Sequence, residues 1–459
     1  MIMSYNGGQV WCVAHCDLDG NTAAAVVKQQ HPDCNVIITN YNKPLHLSKF
    51  KPGDLIYVVD FSLPKDIFEI LKGRNCEIIW IDHHKSAIEG LRGTIADTFK
   101  GIRTEEYSGA MLTWMYFNPD KTFEQSPIFI QLVNWYDLWQ HDKDPRVRAF
   151  AYGIGLWETR PGYVAGDKLW NTLFSNNGDK FFENIVKYGQ DVIRYIEKYQ
   201  DTVCADLAYR TTLNVNGNNR NILAMVARTG NSSIFERQDM TNVDALFTGQ
   251  YIASVKQYRC SVYSPDNKKV VLDIAQMFGG GGHPTAAGFT YPRYPINLPS
   301  KSQPKPLADV IKSYEEVKTL RESSPILKRY VDKSSVVTSK VSGWHDVFCG
   351  YNAIVFNHPY IPDMLHLLPL NVDCVNQETG TVADIYIGYV MTNSGYYRCC
   401  AYPTSTSVKV EDMLQRIQQT YMPKVTDICN KMEMINGGIW WYQEEEPVQP
   451  QIAINTSCF

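Results

Sequence analysis

Several absences in the 459-residue chain restrict its chemistry. The twelve cysteines are scattered and form no C-x-x-C pair, so a zinc site of paired thiolates is not expected. The opening stretch, MIMSYNGGQVWCVAHCDLDG, has neither the basic nor the apolar region of a secretory leader. No run reaches the roughly 18 uncharged apolar residues of a membrane span. Together these absences point to a reducing, cytoplasmic setting with free thiols and no membrane partner. A basic excess is missing too: 44 Lys and Arg stand against 48 Asp and Glu, a formal charge of -4. A sequence-independent grip on long duplex nucleic acid usually needs that excess, so long duplexes are not expected as partners. A small phosphorylated ligand held by a few local cations remains compatible.

What is present reads as an α/β chain. Short apolar runs at Gln9 to Ala14, Asn35 to Thr39, Leu55 to Val59 and Glu77 to Ile81 predict buried strands. Amphipathic stretches at Asn21 to Gln30 and Pro64 to Lys72 predict helical crossovers, hence a doubly wound parallel sheet. Helical spacing covers Pro127 to Trp139, and Phe181 to Gln200 predicts a long helix joining two lobes. A second, smaller α/β pattern runs from about Thr211 to Phe289, followed by a Pro-, Ser- and Lys-rich linker at Pro295 to Pro306 and a helix at Leu307 to Leu320. Beyond Ser335, strand signals at Ala383 to Met391 and Tyr396 to Ala401 and a helix signal at Val408 to Gln419 predict an α+β C-terminal domain. The expected division is a catalytic domain at 1–185, a linker helix at 186–210, a substrate-binding domain at 211–325 and a C-terminal domain without assigned role at 326–459. No internal repeat is evident in the sequence.

The chemistry gathers at strand ends. The first strand runs into His15-Cys16-Asp17-Leu18-Asp19-Gly20. In an extended segment alternate side chains share a face, so His15, Asp17 and Asp19 are expected to point the same way. The strand Leu55 to Val59 ends on Asp60, and Glu77 to Ile81 ends on Asp82-His83-His84. In parallel sheets the carboxyl ends of the strands form the ligand crevice. Carboxylates at three such ends repel one another unless cations lie between them. Oxygen and nitrogen donors without thiolates suit manganese or magnesium. Any one of these acids alone would more often be a helix cap, and a lone Asp137 in NWYDLW would read as a partly buried polar residue. Their order and spacing make the functional reading.

A further element is FGGGGHPTAAGF, residues 278–289. Four consecutive glycines let backbone N–H groups approach phosphate oxygens closely, and His283 adds a donor. A bare glycine run is more often a flexible turn; here it joins an amphipathic helix to a small-residue segment, which favours backbone approach to a ligand.

The elements HCDLDG, VVD, IDHH and NWYDLW, in that order, resemble the four motifs of the DHH phosphoesterase superfamily. The stretch closing in GGGGHPTAAGF resembles the DHH-associated substrate domain of RecJ-type exonucleases and nano-RNases. Together they cover roughly the first 290 residues. The resemblance implies that Asp17, Asp19, Asp60, His83 and Asp137, with His15, hold two divalent metal ions, with Asp60 bridging. Several relatives place the ligand histidine four positions before the first Asp, where this chain has two. The resemblance further implies that Asp82 orients its neighbours and that His84 contacts the scissile phosphate or a metal-bound water. In the associated domain it implies that Arg259 grips substrate and that Gly280, Gly281, Gly282 and His283 bind phosphate.

The expected function is hydrolysis of phosphodiester bonds by metal-activated water. The ions are manganese first and magnesium second. The expected substrates are short oligonucleotides or small nucleotides, cyclic dinucleotides and 3′-phosphoadenosine 5′-phosphate among them. The alternative from another class is a catalytically silent nucleotide-binding or sequestering protein on the same scaffold. A homo-oligomer, or a protein partner held through residues 326–459, stays open.

Overall fold

The computed structural model describes residues 7–41, 43–176, 178–226, 232–252, 255, 257–265, 270–327, 329, 343–348, 351–357, 382–404, 407–421, 433–435 and 438–443. Contacts divide the chain into two compact units, Met1–Arg194 and Tyr195–Phe459.

The first unit is built on four parallel strands, β1 (Val10–His15), β2 (Asn35–Thr39), β3 (Leu55–Val59) and β4 (Glu77–Ile81), in the order β2-β1-β3-β4. Its helices are α1 (Leu18–Gln30), α2 (Lys65–Gly73), α3 (Lys85–Gly90), α4 (Gly109–Phe117), α5 (Ile128–Asp137), α6 (Arg146–Ile154) and α7 (Val164–Phe174), then α8 (Gly178–Leu207), in which the unit boundary falls. Alternate strand residues feed two cores. Cys12, Ala14, Tyr57, Val59, Ile79 and Ile81 join one with α1, α4 and α5. Val13, Ile56, Val58, Ile78 and Trp80 join the other with Phe68 and Leu71 of α2. Helices thus cover both faces, which explains the near-continuous apolar strands and makes the sheet doubly wound. Burying a side chain such as Phe68, wholly enclosed, stabilises by about 1.5–3 kcal/mol.

The turn after β1 departs from the expectation of an extended HCDLDG segment. Asp17 caps α1 by accepting from the Gly20 N–H, and Asp19 lies in the first helical turn. Capping competes with extension and wins here.

The second unit holds two six-stranded sheets. The first contains β5 (Tyr209–Val215), β6 (Asn218–Met225), β7 (Ala245–Ile252), β8 (Gln257–Tyr263), β9 (Gly281–His283) and β10 (Ala286–Tyr291), with α9 (Val270–Met277) between β8 and β9. After α10 (Leu307–Glu322), the second contains β11 (Gly343–Phe348), β12 (Tyr351–Asn357), β13 (Ile385–Met391), β14 (Tyr397–Pro403), β15 (Glu433–Ile435) and β16 (Gly438–Gln443), with α11 (Val410–Tyr421) between β14 and β15. The tail after Trp441, acidic and Pro-containing in sequence, is described only as far as Gln443.

Contrary to the expectation of no internal repeat, the two sheets share one plan. Their orders are β5-β6-β7-β8-β10-β9 and β11-β12-β13-β14-β16-β15. In each, the second and third strands pair in parallel and every other pair is antiparallel. Register agrees as well. Cys260 lies between Gly249 and Phe289, and Cys399 lies between Tyr389 and Trp441. That alignment places Tyr258-Arg259-Cys260 on Tyr397-Arg398-Cys399. The same side-chain clip recurs before the third strand. The Asn221 N–H donates to the Asp244 carboxylate at 2.9 Å, and the Asn352 N–H donates to that of Asp384 at 2.9 Å. One continuous core takes Cys260, Val262 and Phe289 from the first sheet and Cys399, Ala401 and Trp441 from the second.

Candidate metal centre

In the first unit, the carboxyl ends of β1, β3 and β4 bring their acids and imidazoles to one place. His15 ends β1, and its Nδ1 meets the Asp17 carboxylate at 2.5 Å. Asp60 follows β3 with φ at +50°, a left-handed conformation that Asp tolerates better than most residues. This turn aims a fully buried carboxylate into the cluster. Gly109 makes room for it, since a Cβ there would come within 2.4 Å of the Asp60 Cβ.

Asp82 is wholly buried and organises the two histidines that follow it. One of its oxygens accepts from His83 N at 2.8 Å and His84 N at 3.2 Å, and lies 2.7 Å from His84 Nδ1. Its other oxygen accepts from the Ser62 hydroxyl. Burial alone would raise the Asp82 pKa, but these bonds, led by that to His84, hold it below the usual value. The His84 pKa is raised in turn, chiefly by its bond to Asp82. With Nδ1 engaged, His84 keeps Nε2 for a ligand.

Asp19 is fixed by the start of α4. It accepts from the Ser108 hydroxyl at 2.7 Å, Gly109 N at 2.6 Å and Ala110 N at 3.0 Å. Ser108 and Gly109 escaped the sequence reading because nothing near Asp19 in the chain announces partners so remote. A Ser-Gly pair opening an apolar helix was the available signal.

The centre of the cluster is unsatisfied. His83 Nε2 lies 3.2 Å from Asp60 Oδ1, 3.4 Å from Asp137 Oδ2 and 3.9 Å from Asp19 Oδ2. Both Asp60 oxygens and His83 Nε2 are buried with no hydrogen-bond partner. Burial pushes the Asp60 carboxyl well above its ordinary pKa, and the charges of Asp19, Asp17 and Asp137 push it further. Asp137, at the end of α5, is pushed up to about 8, first by burial and then by Asp19 and Asp17. Burial lowers the His83 pKa, leaving a neutral ring with a lone pair to give.

Three overlapping donor sets emerge, each with ligand atoms within 4.8 Å of one another: Asp60, His83 and His84; His15, Asp17 and Asp60; Asp19, His83 and Asp137. Buried polar atoms left unpaired are costly, and carboxylates this close cannot all ionise unaided. A divalent cation fits the donor set and removes both penalties. The structure thus gathers His15, Asp17, Asp19, Asp60, His83, His84 and Asp137, with Asp82 behind them.

The remaining sequence-derived candidates belong to the second unit. Strand alternation and register put Arg259, Gly281, His283 and Thr290 on one face of the first sheet. Arg259, Gly281 and His283 are exposed there. His283 Nδ1 lies 2.9 Å from the Thr285 hydroxyl. Gly282 has φ at +149°, and a Cβ on it would meet Ala286 O at 2.7 Å, whereas Gly281 faces open space.

No family model matches the chain. A protein of Acanthamoeba polyphaga mimivirus, described only as uncharacterized, is 28% identical over 262 residues. That match covers 53% of this chain and 55% of the relative, so it spans about half the relative's length. Among solved structures, the pGpG-specific phosphodiesterase PggH from Vibrio cholerae is 12% identical, covering 69% of this chain and 100% of that chain at a TM-score of 0.35. RecJ in complex with Mn2+ from Thermus thermophilus is 11% identical, covering 95% of this chain and 68% of that chain at a TM-score of 0.34. Among the described residues no helix is long and apolar enough to cross a membrane.

Proposed function

We propose that this chain is a metal-dependent phosphoesterase of the DHH type, hydrolysing phosphodiester bonds in short oligonucleotides or small nucleotides, including cyclic dinucleotides. The observation that carries the reading is the buried, partnerless trio of Asp60 Oδ1, Asp60 Oδ2 and His83 Nε2 amid further carboxylates. The order of the four sequence motifs supports it.

Two divalent ions, manganese before magnesium, fit the donors. His15, Asp17 and Asp60 would hold one, and Asp19, His83 and Asp137 the other. Bound ions of this kind polarise phosphoryl oxygens and lower the pKa of water towards neutrality. His84, whose pKa is raised chiefly by its bond to Asp82, is placed to donate from Nε2 to a phosphoryl oxygen when protonated, which would offset the charge that develops there. Asp82 holds that ring in one orientation. Arg259, Gly280, Gly281, Gly282 and His283 bind the anionic end of the substrate. The thiols Cys12, Cys16, Cys34 and Cys76 are free, which suits a reducing, cytoplasmic setting.

The test is a hydrolysis panel with added manganese: 5′-phosphorylated RNAs of two to five nucleotides, cyclic dinucleotides, 3′-phosphoadenosine 5′-phosphate and a long single strand. Cleavage confined to a small class, lost with chelator and with Asp60→Asn, is the expected result. Metal-loaded protein that cleaves none of them would overturn the reading in favour of a nucleotide-sequestering protein.

A further inference from the structure

The shared plan of the two sheets in the second unit makes each a control for the other. The hairpin β15–β16 has the register of β9–β10, with Glu433 and Met434 where the first sheet has Gly281 and Gly282. The sheet can therefore be closed without the glycine run. Ile435 stands at the register position of His283.

The arginine at the shared strand position survives in both sheets but meets opposite surroundings. Arg259 is exposed and makes no ion pair among the described residues. Arg398 is 3% exposed and bonds through Nη1 to the carboxylate of Asp206 in α8. The Tyr314 hydroxyl of α10 donates to the same Asp206 oxygen at 3.0 Å, and the Arg398 guanidinium lies 5.4 Å from the centre of the Tyr314 ring. An acid of the chain thus occupies, beside Arg398, the place that an outside anion could take beside Arg259. A carboxylate and a phosphate oxygen offer a guanidinium the same kind of acceptor.

The geometry points to residues 343–443 being a duplicated copy of the 209–291 module that has closed its own anion site: Arg398 is satisfied by Asp206, while Arg259 stays open to the phosphate of a ligand. The chain then carries one ligand-gripping module and one ligand-silent module. The statement about Arg259 rests on the proposed function; the closure of Arg398 does not.

Two measurements on the full chain test this. The first is thermal unfolding of Asp206→Asn with inorganic phosphate. Removing the internal acid should reopen the second site, so phosphate should raise the Tm of Asp206→Asn more than that of the wild type. The gain should vanish in Asp206→Asn combined with Arg398→Gln. No extra gain, or a gain that survives in the double variant, overturns the closed-site inference. The second is binding of 5′-AMP by titration calorimetry to a chain with the pair replaced by apolar residues, Asp206→Leu with Arg398→Met, a change that buried pairs often tolerate. Its Kd should stay within about twofold of wild type, while Arg259→Gln should raise Kd by about tenfold or more, as loss of a charge-assisted bond does. A tenfold loss in the apolar pair overturns the ligand-silent assignment. An unchanged Kd in Arg259→Gln, with the phosphate effect intact, overturns the open-site half alone and leaves Arg398 closed.

Discussion

The two sheets of the second unit solve the same pairing problem with different side chains. One presents Arg259, Gly281 and His283 on an open face, and the other buries Arg398 against Asp206 and Tyr314. Their common register shows which features the fold requires and which it does not. The inward cysteines, Cys260 and Cys399, and the clips Asp244–Asn221 and Asp384–Asn352 recur because the sheet and its core need them. The glycine run does not recur at the equivalent register positions, so this pairing plan does not itself require it. A second contrast concerns buried charge. Arg398 and Asp206 pair directly, whereas Asp60, Asp19 and Asp137 all crowd one histidine nitrogen, His83 Nε2.

The largest effect should come from breaking the closed pair. Arg398→Gln leaves Asp206 buried without its counter-charge and should destabilise by about 3–5 kcal/mol in urea unfolding. Arg259→Gln, at the equivalent exposed position, should change stability by no more than about 0.5 kcal/mol. Equal losses would erase the distinction between the sheets.

Next comes metal. At a free concentration of about 100 times its Kd, manganese should stabilise the protein by about 2.7 kcal/mol, an increment absent with EDTA and in Asp60→Asn. The same site predicts a pH dependence. Asp60 and Asp137 have raised folded pKa values, that of Asp137 to about 8, so the folded state holds protons that the unfolded state has released. Their contribution is fully present below the unfolded value of 3.8 and is lost as pH rises through the folded values. Metal-free protein should therefore lose Tm between pH 5 and about 8, and manganese should oppose that loss. A flat metal-free profile would contradict the crowded-carboxylate picture.

Smaller effects separate the glycines. Gly282→Ala meets Ala286 O in a left-handed backbone and should cost about 1–3 kcal/mol. Gly281→Ala enters open space and should leave stability within about 0.5 kcal/mol while weakening 5′-AMP binding.

How much of this was legible in the sequence depended on distance along the chain. Strands β2, β3 and β4 have the bounds read from Asn35 to Thr39, Leu55 to Val59 and Glu77 to Ile81; β2 is a half-buried edge strand, whereas β3 and β4 are buried on both faces and so are near-continuous apolar runs. The acids at their ends were visible for the same reason. The donors on Asp19 were not, since they come from residues 89–91 positions away. The long helix extends beyond Phe181 to Gln200 at both ends, as Gly178–Leu207. The duplicated plan was missed because alternating burial tolerates many sequences, and little but the Tyr-Arg-Cys triplet and the Asp–Asn clips remains of common identity.

The bond between Arg398 and Asp206 spans 192 positions. At a synthesis rate of about 5–20 residues per second, Asp206 waits roughly 10–40 s for its partner. Over that interval the inward face of the first sheet, with Tyr258, Cys260, Val262 and Phe289, also lacks the second sheet's share of the core. The nascent chain therefore passes through a period in which an apolar sheet face and an acid meant for burial are both open to water, and holdase chaperones have their opportunity then. Duplication that silenced one module also made the other's completion depend on strands translated well after it.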